Sequence, residues 1–144
     1  MNFSLAEKTA LVTGSYRGTG FAIAQTLLAE GATVLVHGLD AEQAQAAVTE
    51  LGAGIPVAGD ISNEPGCQNL IDTCAGHSIQ ILINNYGGAD QSTWLESDTT
   101  DWHSAFEKNV LSAQRITQAL LPRLLASSWA RIINLGTVGS TRPN

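Results

Sequence analysis

Basic residues are scarce in this sequence: seven lysines and arginines stand against thirteen aspartates and glutamates in 144 residues, and no basic run occurs. The net charge of −6 argues against nucleic acid or an anionic membrane surface as a partner. Long apolar runs are also lacking, since no stretch approaches the ~20 apolar residues of a membrane span. Residues 1–4 have neither the basic nor the apolar region of a signal peptide. We therefore expect a cytoplasmic protein without nucleic-acid or membrane partners.

Cysteine and histidine are too few and too scattered for a disulfide framework or a metal site. Cys67 and Cys74 share one helical stripe with Leu70 and Ile71. Seven residues along a helix span ~10 Å, which is too far for a disulfide. We therefore expect two buried thiols and no metal, because the histidines show no metal-ligand spacing either: His37, His77 and His103.

What the sequence does have is a glycine-rich turn between an apolar run and a helical segment, TGSYRGTG at residues 13–20. Glycine tolerates positive φ and lets backbone N–H groups approach an anion closely. A pyrophosphate at the N-terminus of the following helix meets unpaired N–H donors and the positive end of the helix dipole. The spacing, Gly14-x3-Gly18-x-Gly20, differs from the Gly-x-Gly-x2-Gly of the commonest dinucleotide fingerprint. The turn predicts a dinucleotide site, with an ordinary glycine-rich turn as the alternative.

Strand-like and helix-like segments alternate along the whole chain. The strand-like segments are nearly continuous apolar runs, as in parallel strands covered on both faces: 10–13, 33–37, 55–58, 79–84 and 131–135. Helical patterns fill the intervals, namely 21–30, a segment from Asp40 to Gly52, the cysteine helix, and a long helix over 100–127. This alternation predicts one α/β domain over residues 1–144, built on an open parallel sheet with right-handed crossovers.

The long helix over 100–127 carries a stripe that we expect to face the interior: Trp102, Ala105, Phe106, Ala113, Ile116, Leu120 and Leu124. Asn109 falls on the same stripe, so its amide is expected to point inward and to need hydrogen bonds there. Pro122 removes one helical hydrogen bond and is expected to kink the helix. The same helix is the candidate surface for a homo-oligomer.

These motifs, in this order, resemble the short-chain dehydrogenase/reductase family. The glycine turn matches the family's glycine motif, and NNYG at 84–87 resembles its Asn-Asn-Ala-Gly, with Tyr86 in the alanine position. RIINLGT at 131–137 resembles the fifth strand and the approach to the catalytic serine. The resemblance covers the whole chain but only the N-terminal part of the family pattern. It implies a Rossmann-type doubly wound sheet of order 3-2-1-4-5, truncated after the fifth strand, which is left as an exposed apolar edge.

The resemblance also implies which residues hold a dinucleotide and which take part in chemistry. Asn109 matches the catalytic asparagine that holds a water in a proton relay. Thr137 takes the place of the family's serine, and its hydroxyl can donate to a substrate carbonyl. Ser140 is a poorer stand-in because it lies further beyond the strand. The implied cofactor-binding residues are Thr13, Gly14, Ser15, Arg17, Gly18, Thr19, Gly20, Gly38, Asp60, Ile61, Asn85 and Gly87.

Several of these positions have a purely structural alternative. Asp60, matched to the family's aspartate that binds adenine, also suits a turn or a helix cap. Asn85 and its neighbour Asn84 suit the joining of neighbouring strands through their side chains. For Asn109 the alternative is an ordinary core asparagine.

Charge at the end of the second strand bears on the choice of cofactor. Enzymes that prefer NAD usually carry an acid there to accept a hydrogen bond from the ribose 2′-OH, whereas this chain has Gly38. Arg17 in the glycine turn suits a 2′-phosphate, its alternative being a solvated surface charge. Leu39 stands where many NADP-preferring relatives have a second arginine, and Asp40 is expected to be engaged as a helix cap. The balance favours NADP(H) over NAD(H).

The family's central Tyr-x3-Lys pair is absent from these 144 residues. The only tyrosines are Tyr16 and Tyr86, and the positions four residues further on are Gly20 and Asp90. In the family, the tyrosine transfers the proton at the substrate oxygen and the lysine lowers its pKa. We therefore expect the purified 144-residue chain to show no carbonyl reduction, and NADPH-dependent turnover by that chain would contradict this expectation.

Two functions of different classes remain. In the first, the chain is the N-terminal part of an NAD(P)-dependent oxidoreductase that transfers hydride between nicotinamide and a small carbonyl or alcohol substrate. In the second, it is a non-catalytic dinucleotide-binding or interaction module, or a decayed relative. The family pattern stops in mid-loop, which favours the first, and whether the chain itself is an enzyme stays open. A methyltransferase on a similar sheet would not explain Asn109. The substrate cannot be read, although residues 91–95 are expected to border its site.

Overall fold

The computed structural model of the chain describes residues 5–89 and 93–137. The strands in these ranges are β1 (Thr9–Val12), β2 (Thr33–Gly38), β3 (Ile55–Ala58), β4 (Ile81–Asn84) and β5 (Arg131–Asn134). They pair in parallel in the order β3-β2-β1-β4-β5. This confirms the expected order 3-2-1-4-5 and the α/β class. It leaves β5 at one edge of the sheet, where its residues are exposed.

Helices lie on both faces of this sheet: α1 (Gly18–Ala29), α2 (Ala41–Leu51), α3 (Glu64–Thr73), α4 (Thr99–Phe106) and α5 (Ser112–Ala126), with a π-helical segment (Glu107–Leu111) between the last two. The core is split accordingly, because successive side chains of a strand point to opposite faces. Leu11 packs in the cluster under α3 and α5, whereas Ala10 and Val12 pack in the cluster under α1 and α2. In the described ranges, no helix combines the length and apolar content needed to cross a membrane.

The start and end of α2 follow from single residues. Asp40 is the N-cap, and its Oδ1 accepts a hydrogen bond from the backbone N–H of Gln43 at 2.8 Å. The Gln43 side chain bonds back to the N–H of Leu39 at 3.1 Å rather than to that of Asp40. Gly52 ends the helix in a left-handed conformation with φ of 74°, which glycine adopts without steric strain. The predicted helix and the capping role of Asp40 are confirmed.

Both cysteines are free and buried, as the sequence predicts. Cys67 lies on the inner face of α3 and Cys74 is its C-cap residue. Burial raises the pKa of both thiols, that of Cys74 to about 12. Asn63 begins this helix by accepting a hydrogen bond from the N–H of Gly66 at 2.9 Å.

The expectation of one long inward-facing helix over 100–127 is only half right. The stripe after the π-helical segment is buried as predicted, with Ile116 and Leu120 fully covered. Trp102 and Phe106, before the segment, are 54% and 53% exposed. A π turn takes up one extra residue, so the side chains before it are rotated away from the stripe that follows it. α5 continues through Pro122 to Ala126, and the departure from α-helical hydrogen bonding lies at Glu107–Leu111 instead.

Candidate nucleotide-binding and catalytic site

The candidate site is a cavity of about 1110 Å³ at the carboxyl ends of the central strands. Parallel strands bring their carboxyl ends to one edge of a sheet, where ligands of open α/β folds bind. Thr19, in the first turn of α1, borders the cavity on one side. Asn109 and Thr137 border it on the other. Five of the residues proposed from the sequence therefore border one cavity: Thr19, Asn85, Gly87, Asn109 and Thr137.

The glycine turn packs backbone against backbone with the start of α1. A Cβ atom on Gly20 would lie 2.4 Å from the carbonyl oxygen of Gly14, so only glycine fits there. Gly14 itself has φ of 65°, a conformation that favours glycine. The N-cap residue, Arg17, makes no side-chain capping bond. The first-turn N–H groups of α1 thus have no side-chain cap, which suits a phosphate, and Thr19 in this turn borders the cavity.

His37, for which the sequence predicts no role, holds this turn through hydrogen bonds. Its ring is fully buried at the end of β2. Nδ1 accepts a hydrogen bond from the N–H of Gly14 at 2.8 Å, and Nε2 lies 2.8 Å from the carbonyl oxygen of Gly59. Because Nδ1 accepts, Nε2 carries the proton and donates to Gly59. One neutral imidazole therefore ties the glycine turn to the end of β3.

The backbone of His37 is engaged in the same turn. Its N–H donates to the Ser15 hydroxyl at 2.8 Å, and that hydroxyl donates to Val12 O at 2.7 Å. The His37 carbonyl accepts from the N–H of Tyr16 at 3.1 Å. Ser15 was expected among the cofactor-binding residues, but its buried hydroxyl is engaged in hydrogen bonds within the fold. The one signal in the sequence that marks His37 is its place as a lone polar residue at the end of a buried apolar strand.

Burial lowers the pKa of His37 from 6.5 to about 4, although the hydrogen bond with Gly59 and the negative charge of Asp60 raise it. The ring therefore stays neutral at ordinary pH. A neutral ring is what the geometry needs, because protonation of Nδ1 would turn the acceptor for Gly14 into a second donor.

The two asparagines at the end of β4 join neighbouring elements, as the structural interpretation predicts. Asn84 Nδ2 donates to Asn134 Oδ1 at 2.8 Å and to Thr117 Oγ1 at 3.0 Å. Asn85 Nδ2 donates to the carbonyl oxygen of Thr13 at 2.9 Å. The Thr13 hydroxyl accepts in turn from the backbone N–H groups of Asn85 and Tyr86, each at 3.0 Å. Thr13 and Asn85 thereby fix the glycine turn to the segment after β4.

Asn109 does not point into the core, and that expectation is wrong. It lies in the π-helical segment, is exposed, and faces the segment after β4. Its Nδ2 donates to Gly88 O at 2.8 Å and to Ala105 O at 2.9 Å, while Oδ1 accepts from the N–H of Gly88 at 3.0 Å. A Cβ on Gly87 would lie 2.6 Å from Asn109 Oδ1, so a larger residue there would displace the Asn109 side chain. Asn109 is well placed to position the segment that borders the cavity.

The residues expected to select the cofactor lie around the end of β2. Arg17 is exposed and its guanidinium stacks 5.1 Å above the Tyr16 ring. Asp40 is engaged as the cap of α2. The absence of a side chain at Gly38 also has a steric reason, because a Cβ there would lie 2.5 Å from the backbone nitrogen of Ala44. Position 38 is a glycine and the Asp40 carboxylate caps α2, so neither provides a free carboxylate at the end of β2.

Asp60 and Ile61 follow β3. Asp60 is exposed, and its Oδ1 accepts from the N–H of Ser62 at 3.1 Å and from the Ser62 hydroxyl at 2.7 Å. The turn role left open by the sequence is therefore present. Ile61 is buried in the core, so its side chain is not available to a ligand.

The far wall of the cavity combines Thr137 with an aromatic pair. Thr137 is exposed just after β5. Trp94 and Trp102 face each other with ring centroids 5.2 Å apart and an interplanar angle of 51°. Ser140, the alternative to Thr137, lies outside the described residues, as do 91 and 92 of the expected substrate border.

The sequence model of the short chain dehydrogenase family matches residues 8–144. The chain is 32% identical over 150 residues to the uncharacterized oxidoreductase YvaG of Bacillus subtilis, covering 100% of this chain and 56% of that protein. It is 30% identical over 147 residues to the 3-oxoacyl-[acyl-carrier-protein] reductase FabG of Aquifex aeolicus, covering 96% and 58%. The chain thus spans somewhat more than half the length of these curated relatives.

Solved structures agree with this match. The crystal structure of a 3-oxoacyl (acyl-carrier-protein) reductase from Agrobacterium tumefaciens with NADP bound superposes with a TM-score of 0.88 at 30% identity, covering 97% of this chain and 56% of that one. L-sorbose reductase from Gluconobacter frateurii, complexed with NADPH and L-sorbose, gives 0.88 at 26% identity, covering 100% and 57%. The family match, the sheet order and these structures lead to one conclusion: the chain belongs to the short chain dehydrogenase family.

Proposed function

We propose that the chain is the dinucleotide-binding part of an NADP(H)-dependent oxidoreductase that transfers hydride between nicotinamide and the carbonyl or alcohol group of a small molecule. The observation that carries the proposal is the shared cavity. Thr19 at the start of α1, Asn109 and Thr137 all border it. The neighbours solved with NADP or NADPH support the choice of cofactor.

The residues present fit such a dinucleotide. Gly20 lets the start of α1 pack closely on Gly14, and the first turn of α1 offers N–H donors to a pyrophosphate. When bound, NADPH would supply the hydride. Thr137 is suited to donate a hydrogen bond to the substrate oxygen, which stabilises charge that develops there. Asn109 holds Gly88, and with it the cavity wall, through two hydrogen bonds, while a third, to Ala105 O, fixes the Asn109 side chain.

Arg17 is the residue that we propose to recognise the 2′-phosphate. An exposed guanidinium paired with a phosphate contributes about 1 kcal/mol. We therefore expect Arg17→Ala to weaken NADPH binding about fivefold to tenfold and to leave NADH binding nearly unchanged. Titration of the full 144-residue chain with each cofactor by isothermal titration calorimetry measures both constants.

Arg123→Ala is the matched control because it removes the same charge from an exposed position near the end of α5. It should affect both cofactors equally and slightly. An equal loss for NADPH and NADH in Arg17→Ala would contradict the role of Arg17 in selection. A wild-type chain that binds neither cofactor would contradict the proposed function itself.

A second candidate is a non-catalytic dinucleotide-binding module, in which the same glycine turn would bind the cofactor without chemistry. Both candidates bind NADPH, so binding does not separate them. Turnover does: the module would show no carbonyl reduction in any assembly that contains this chain. An oxidoreductase would gain activity once a polypeptide that carries the Tyr-x3-Lys pair completes it.

A further inference from the structure

Tyr86 is a large aromatic side chain at a position where the family resemblance has alanine. Its backbone passes over the glycine turn, because its N–H donates to the Thr13 hydroxyl at 3.0 Å. A Cβ on Gly14 would lie only 3.1 Å from the Tyr86 Cα. The side chain therefore starts directly above the point where β1 ends.

The Tyr86 ring lies toward the ends of β2 and β3. Its centroid is 6.3 Å from that of His37, with an edge-to-face angle of 71°. Burial raises the pKa of its hydroxyl, and the charge of Asp60 raises it further, while a hydrogen bond with the Ser62 side chain lowers it. The ring thus packs against His37, and its hydroxyl lies near the turn after β3 that carries Asp60 and Ser62.

The ends of β2 and β3 are where the adenosine half of a dinucleotide belongs. In doubly wound sheets the pyrophosphate sits at the first helix N-terminus, and the adenosine ribose is bound at the end of the second strand. His37 and Gly38 form that end here. Asp60, after β3, lies on the far side of the same strand end. A base bound at these strand ends would therefore lie near the Tyr86 ring, which packs edge-to-face with His37.

We propose that Tyr86 is an adenine-contacting residue of this chain, whose ring stacks on the base. The inference rests on the proposed function, since it assumes that a dinucleotide binds. An aromatic face stacks on any base, and a ring already held by its neighbours loses little freedom when the base arrives. The ring is half-buried, so part of its surface is open to a ligand.

The test compares the two halves of the cofactor. Wild type, Tyr86→Phe, Tyr86→Leu and Tyr86→Ala are titrated with NADPH, 2′,5′-ADP and reduced nicotinamide mononucleotide by calorimetry. Loss of base stacking corresponds to about a tenfold weaker affinity. We expect this loss for NADPH and 2′,5′-ADP in the leucine and alanine variants. Tyr86→Phe keeps the ring and should bind nearly as wild type does, and the nicotinamide half should bind equally to all four.

The leucine variant keeps most of the apolar volume, so it separates stacking from support of the turn. Equal or tighter binding of 2′,5′-ADP by Tyr86→Leu and Tyr86→Ala would overturn the proposal, and so would the same loss for both halves of the cofactor. If wild type binds NADPH while these variants match it, only the role of Tyr86 fails. If wild type binds neither NADPH nor 2′,5′-ADP, the proposed function and this inference fail together.

Discussion

Replacement of Gly20 by alanine is expected to abolish most of the NADPH affinity of the chain. The new Cβ would lie 2.4 Å from both Gly14 O and Asn85 Nδ2, so either the glycine turn or the start of α1 must shift. Such overpacking lowers the free energy of unfolding by about 1–3 kcal/mol. Loss of two charge-assisted hydrogen bonds to the pyrophosphate weakens binding about a hundredfold. Calorimetric titration with NADPH and urea unfolding measure the two effects.

Gly18→Ala is the comparison that isolates the clash. Gly18 also lies in the turn, with φ of 58°, but no atom lies within 4 Å of a Cβ placed there. Its substitution therefore brings only the strain of a left-handed alanine, about 1–2 kcal/mol. Equal losses of NADPH affinity in the two variants would mean that the close packing of Gly20 on Gly14 does not shape the cofactor site.

Local patterns were enough to predict the sheet and the glycine turn. Continuous apolar runs mark buried parallel strands, and the observed β3 coincides with the predicted segment 55–58. The asparagine pair could also be interpreted, because polar residues at the end of a buried strand have only strand ends and turns as partners. In each of these cases the signal lies within a few residues of the feature.

The roles of His37 and Asn109 could not be predicted for two different reasons. The partners of the His37 ring are Gly14 and Gly59, 23 and 22 residues away, and no periodic pattern links them. The sequence puts Asn109 on the stripe of Phe106 and Ala113, which assumes one unbroken helical period through residues 107–111. The π-helical segment breaks that period. The predicted side-chain directions are therefore wrong for the part of the helix that borders the cavity.

His37 makes the stability of the fold dependent on pH in the acidic range. The pKa of His37 is about 4 in the folded chain and 6.5 when exposed. Between these values the unfolded chain binds the proton and the folded chain does not, so stability falls as the pH falls. The contribution is fully present above pH 6.5, and about 3 kcal/mol is lost by pH 4. Urea unfolding between pH 8 and pH 4 measures this loss.

The variant His37→Asn identifies the source of that pH dependence. Asparagine does not titrate, and its amide oxygen can replace Nδ1 as the acceptor for the Gly14 N–H, although the bond with Gly59 is lost. We expect the variant to be less stable than wild type at pH 8 and the difference to shrink as the pH falls toward 4. Glu107, whose pKa is lowered by its hydrogen bond with Arg115, contributes equally to both proteins and cancels. Parallel pH profiles for the two proteins would mean that the buried imidazole does not govern the acid stability of the chain.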